Sequence, residues 1–179
     1  DQGGKSLTGE SWWAQSVTFT APTGFTISNS VDGTYGTSFV YDTQTGTDGT
    51  EVTYYLKDTT SGEIAQKTAT VRIDRTAPTW PEDGGINIKN NRWKEFLNTI
   101  SFGLFFKETL DVKASAADDL CGVAAYYYYV DETDSTTVLS FDELANKTFT
   151  EVEGSGKQTL TSLSSEGSYV VYAYAVDKA

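Results

Sequence analysis

The sequence predicts an all-β protein built as two small β-sandwich domains. Three observations carry that reading. Thr, Ser, Tyr, Val and Gly dominate, and helix-favouring runs of Ala, Leu, Glu and Lys are nearly absent. Short stretches of alternating apolar and polar residues recur, separated by Gly, Asp and Pro turn signals. One stretch, Val71–Trp80 (VRIDRTAPTW), divides them. There Val71 and Ile73 alternate with Arg72 and Asp74, as in a half-buried strand, until Pro78 and Pro81, which have no N–H to donate, end the ladder. The expected domains are 1–77 and 78–179.

Residues 1–10 are Gly-rich and polar and read as a loose leader. Trp12 and Trp13 follow side by side, so a strand would turn one inward and one outward. Val17–Thr20 and Phe25–Ser28 alternate, with Pro22, Thr23 and Gly24 between them. Asp32-Gly33 and Gly36 signal turns before a strand at Ser38–Tyr41. Asp42–Thr50 (DTQTGTDGT) reads as a solvated hairpin loop. It lacks the bidentate Glu of a helix-loop-helix calcium site. Glu51–Asp58 puts Val52, Tyr54 and Leu56 on one face. Thr59–Gly62 turns the chain, and Ile64–Ile73 returns with Ala69, Val71 and Ile73 inward. So many short strands in so few residues fit a sandwich.

The second domain opens with a loop at Glu82–Gly85 and a short strand at Ile86–Ile88. Asn91 can cap a helical turn over Arg92–Leu97, with Trp93, Phe96 and Leu97 on its buried side. Phe102–Phe106 is apolar chain that fills the core or covers an edge. Leu110–Ala116 sends Leu110, Val112, Ala114 and Ala116 inward. Val123–Val130 (VAAYYYYV) is the most strand-like run, and its tyrosines must divide between the two sheet faces. Ser140 and Glu143 form a capping box that starts a short helix. Strands at Phe149–Val152 and Gln158–Leu163 follow. In Tyr169–Val176 (YVVYAYAV) either face suits the core. The second sandwich thus carries short helical insertions. It is expected to lack its last strand, which lies beyond Ala179 or is replaced by an early segment.

Charge and composition narrow the function. The chain has 25 acidic and 13 basic residues, a net charge of −12, so nucleic-acid backbones and anionic membranes are repelled. No apolar run reaches the roughly 20 residues that span a bilayer as a helix, and direct membrane insertion is not expected. With one cysteine, Cys121, there is no intrachain disulfide, and the Asp118–Gly122 loop predicts a structural, unreactive thiol. With no histidine, a Ser-His-Asp or Cys-His catalytic set is impossible within the chain. A carboxylate pair would suffice for glycoside hydrolysis, but nothing in the spacing of the acids selects one. The chain is read as not an enzyme.

Three stretches argue together: VTYYLKDTTSGEIAQKTATVRIDRTAPTW, ISFGLFFKETLDVKASAADDLCGV and GSYVVYAYAVDKA. They resemble the tandem immunoglobulin-like domains of large, adhesin-like cell-surface proteins of gut Gram-positive bacteria. The Asp-x-Thr-Ala-Pro-Thr link of that family is matched by Asp74, Thr76, Ala77, Pro78 and Thr79. Its late Tyr-Val-x-Tyr-Ala strand is matched from Tyr169. The Gly-Asn and final strand that usually follow are absent. The resemblance implies two tandem immunoglobulin-like β-sandwich domains in a non-enzymatic structural or adhesive module of a larger bacterial surface protein. It implies an extracellular place, at the cell surface or attached to the cell wall. The implied partners are a host protein or glycan and the neighbouring domains of the same longer chain.

Two candidate sites follow from residue types. Trp12, Trp13, Trp80 and Trp93 can stack on sugar rings, which gives the alternative function, a carbohydrate-binding accessory module of a secreted glycan-active enzyme. Strand directions place Asp74, Asp118, Asp119 and Asp177 toward the domain junction. Calcium could neutralise such a cluster. Pairing with Arg75 and Lys178 is favoured instead, because no tight ligand spacing repeats, and no cofactor is expected.

Overall fold

The computed structural model describes residues 11–82, 85–89, 110–132, 138–164 and 168–179. These are mostly β-strand, arranged in several antiparallel sheets. Contacts divide the chain into two compact units, one running to Thr76 together with Lys178–Ala179, the other Ala77–Asp177.

In the first unit β1 (Val17–Thr20) pairs with β3 (Ser38–Tyr41), and β4 (Thr50–Asp58) lies between β2 (Phe25–Ser28) and β5 (Ile64–Val71). Alternation places Val17 and Phe19 of β1, Ile27 of β2, Val52 of β4 and Val71 of β5 in one core, with Trp13 and Ile73. Burying each such side chain stabilises the fold by about 1.5–3 kcal/mol. Phe19 and Phe39 stack across the β1–β3 pair, ring centroids 4.8 Å apart. The early part of β5 is exposed from Ile64 through Thr68, so only its last residues reach the core.

The Asp42–Thr50 loop departs from expectation. Thr45 is only 5 % exposed. Its Oγ accepts the Ile73 N–H at 2.9 Å, and its own N–H donates to the Ile73 carbonyl at 3.0 Å. On the other side of Ile73, the Trp13 N–H donates to the Arg72 carbonyl and the Asp74 N–H to the Trp13 carbonyl, both at 3.0 Å. A polar loop is thus drawn into the core because Ile73 needs a partner for its buried backbone, which a hydropathy pattern does not reveal.

Among its described residues the second unit has two three-stranded sheets. In one, β7 (Leu110–Ala114) lies between β10 (Gln158–Leu163) and β6 (Ile86–Lys89); in the other, β8 (Val123–Glu132) lies between β11 (Tyr169–Asp177) and β9 (Thr150–Glu153). They share a core of Val112, Ala114 and Ala116 from one side and Val123, Tyr126 and Val171 from the other, with Leu160. Tyr126 is fully buried. Its hydroxyl donates to the Gly156 carbonyl at 2.6 Å and accepts the Ala116 N–H at 2.9 Å. The expected helical turn over 92–97, the apolar run 102–106 and Trp93 lie outside the described residues. The Ser140–Glu143 capping box forms and starts a four-residue helix, α1 (Phe141–Leu144). No helix among the described residues is long and apolar enough to cross a membrane.

Candidate binding face

The register of the β9–β8–β11 sheet decides what its outer surface presents. Tyr126, Tyr128 and Val130 of β8 pack on the core with Val171, Ala173 and Ala175 of β11. The alternate residues, Tyr127 and Tyr129, therefore face outward with Tyr172 and Tyr174. Tyr127 lies opposite Tyr174, and Tyr129 opposite Tyr172. On the far side of β8, Tyr127 lies opposite Glu151 of β9.

These side chains form one aromatic cluster. The rings of Tyr127 and Tyr174 are 5.0 Å apart and within 8° of parallel, an offset stack across the strand pair. Tyr129 and Tyr172 stack at 6.3 Å. Phe149, just before β9, closes the group, tilted against Tyr174 at 5.2 Å and against Tyr129 at 6.1 Å. The Lys147 ammonium lies 5.3 Å from the centre of the Tyr129 ring, a cation–π contact. The Tyr172 hydroxyl accepts the Leu139 N–H at 2.7 Å and so ties the approach to α1 onto the sheet. Interaction with Glu151, reinforced by desolvation, raises the Tyr127 phenol above its ordinary pKa of 10.0.

Helix α1 walls a groove of about 660 Å³ against this surface. Phe141, Leu144, Lys147 and Phe149 line one side, Tyr172 and Tyr174 the other. The capping box sets the helix position. Ser140 bonds hold the Glu143 carboxylate below its ordinary pKa, which keeps it ionised in its capping role. Phe141, next to the cap, is 87 % exposed, and Tyr174 is 44 % exposed. An aromatic side chain left that open gains nothing from its own fold. Beside a ring cluster and an apolar groove it makes this face the candidate interaction surface.

None of the described candidate residues from the sequence belongs to this ring cluster or lines its groove. Trp13 is in the first core, 8 % exposed, and its indole N–H has no hydrogen-bond partner among the described residues. It has no open ring face for a sugar. Trp12 is half-buried. Trp80 is half-buried against the second core, tilted over Tyr126 at 6.2 Å and pressed onto Gly85, where an added Cβ would come within 1.9 Å of the indole. Trp93 lies outside the described residues.

Among the acids, Asp74 belongs to the first unit and is 1 % exposed, its carboxylate accepting the Thr76 N–H at 2.9 Å. Asp118, Asp119 and Asp177 belong to the second unit. The Asp118 carboxylate accepts the N–H groups of Leu120 and Gly122 at 3.1 and 2.8 Å, closing a loop in which Gly122 adopts φ of 78°. Asp119 is exposed, and Asp177 ends β11 opposite Val123. Arg75 forms its ion pair with Asp42, within the first unit. The Cys121 thiol is buried and points at the Gly122 carbonyl, 3.7 Å away.

The aromatic face was only half visible in the sequence. The Tyr126–Tyr129 run announced two outward tyrosines, but Tyr172, Tyr174 and Phe149 join them only through strand register. Comparisons with known protein families, with curated proteins and with solved structures find no match.

Proposed function

We propose that the chain is a non-enzymatic adhesive module of a larger bacterial cell-surface protein, its two units being tandem immunoglobulin-like sandwiches displayed outside the cell. The observation that carries this reading is the outer face of the β9–β8–β11 sheet, with Phe141 exposed beside the ring cluster and groove. Support comes also from the sequence resemblance, from a composition without histidine, and from the pairing of two three-stranded sheets over one core in the second unit. Shape and apolar surface are what such a face offers a partner. Glu143, on α1, is engaged in its capping bonds with Ser140.

The carbohydrate-accessory alternative is weaker on two counts. Trp13 and Trp80 serve their own cores, and the outer tyrosines cover one another's faces, whereas a sugar ring needs an open aromatic face to stack on. The test is retention of the full chain on immobilised extracellular proteins and glycans, read together with mass analysis of the panel. Saturable retention without chemical change is expected. Turnover of any panel member, or no retention on any, would overturn the adhesive reading.

A further inference from the structure

We infer that the groove between α1 and the tyrosine face takes a peptide segment of a partner protein in which a large apolar side chain is flanked by lysine or arginine. This deepens the adhesive reading and rests on it. The apolar requirement comes from the lining: Phe141, Leu144 and Phe149 on one wall, Tyr172 and Tyr174 on the other. Such a groove excludes water around an inserted aromatic or aliphatic group, the arrangement in which a single anchor side chain contributes most of the affinity.

The basic requirement comes from charge. Glu151 stands in the same cross-strand row as the stacked Tyr127 and Tyr174, and it is exposed. Glu153 follows two residues on along β9, and Asp142 adjoins Phe141; both are exposed. The cation lining the groove, Lys147, is already engaged over the Tyr129 ring. The whole chain, at −12, adds a long-range field of the same sign. Cationic partners are steered toward the face and anionic ones turned away.

Ring geometry argues against a glycan here. In the Tyr127–Tyr174 stack each ring gives one face to the other, and Phe149 leans onto Tyr174 at 59°. The surface left is that of ring edges around a groove, which suits side-chain insertion better than stacking of a flat sugar.

The test uses the full chain and three probes: synthetic peptides with Phe or Trp flanked by Lys and Arg, the same peptides with every Lys and Arg replaced by Glu, and an oligosaccharide array. Fluorescence anisotropy should show saturable binding of the first set, weakened as salt rises, with the Glu set at least about tenfold weaker. Phe141→Ser should weaken binding by about tenfold or more. Because Phe141 is 87 % exposed, this variant keeps its melting temperature, so loss of binding cannot be laid to unfolding. Equal binding of both charge sets, indifference to Phe141→Ser, or oligosaccharide binding in place of peptide binding would overturn the inference. If peptides fail while the chain is still retained on the extracellular panel, the inference falls and the adhesive reading stands. Turnover on that panel removes the adhesive reading itself.

Discussion

Replacing Tyr126 with Phe removes one oxygen atom from the centre of the second core. That oxygen has two partners of unequal need. The Gly156 carbonyl belongs to an exposed residue and can turn to water when the hydroxyl is gone. The Ala116 N–H belongs to a residue 8 % exposed, in a chain segment packed on the core, and has no such recourse. Orphaning a buried N–H costs about 1–3 kcal/mol, and losing the other bond roughly 0.5–1.5 more. The expected destabilisation is thus about 1.5–4.5 kcal/mol. For a unit of this size that lowers the melting temperature by roughly 7–20 °C. Tyr128→Phe is the control, since it removes the same atom from a half-buried ring on the same strand whose hydroxyl makes no hydrogen bond among the described residues. It should change stability by less than about 0.5 kcal/mol. Calorimetry of the full chain measures both, and only the transition of the second unit should move. Equal losses for the two variants would refute the reasoning, because the hydroxyl's two bonds would then contribute nothing of their own.

Three further outcomes are expected. Gly85→Ala drives a methyl into the Trp80 ring and within 2.6 Å of the Ser115 carbonyl, so it should cost about 1–3 kcal/mol and change tryptophan fluorescence. Thr45→Val keeps the shape but takes the acceptor from the Ile73 N–H; about 1–3 kcal/mol of stability should be lost, confined to the melting of the first unit. Asp58 accepts the N–H groups of Ser61 and Thr60, which hold its carboxyl below the ordinary 3.8. A carboxyl whose pKa is lowered in the folded state stabilises the fold above its unfolded pKa and loses that contribution as pH falls through the folded one. Melting of Asp58→Asn should therefore trail the parent at neutral pH, and the gap should close in acid; a gap that persists unchanged in acid would assign it to something other than charge.

The strands were legible where one face is wet. Leu110, Val112, Ala114 and Ala116 alternate inward as their spacing requires, and the Val52 and Val71 sides of the β4–β5 hairpin do likewise. The capping box was legible because its chemistry is local, three residues long. Tyr169–Val176 was not, since apolar residues occupy both faces and only pairing with β8 decides which one meets the core. Thr45 was missed for a related reason: a small polar residue in a Gly-rich loop gives no sign that a distant backbone group depends on it. Candidate sites drawn from residue type alone are the hardest to read. A tryptophan can be a ligand platform or a core ring, and the choice depends on neighbours such as Gly85, which sequence places near Trp80 without showing that they touch. The aromatic face needed three strands in register before its members became one surface.

The proposed adhesive face is tested most directly by mapping backbone amide shifts of the full chain as a cationic, aromatic-containing peptide is titrated in. The account predicts shifts concentrated at Tyr127, Tyr129, Phe141, Lys147, Phe149, Tyr172 and Tyr174, growing together to one saturation point. Shifts centred on Trp12 or Trp80, or scattered without saturation, would contradict it.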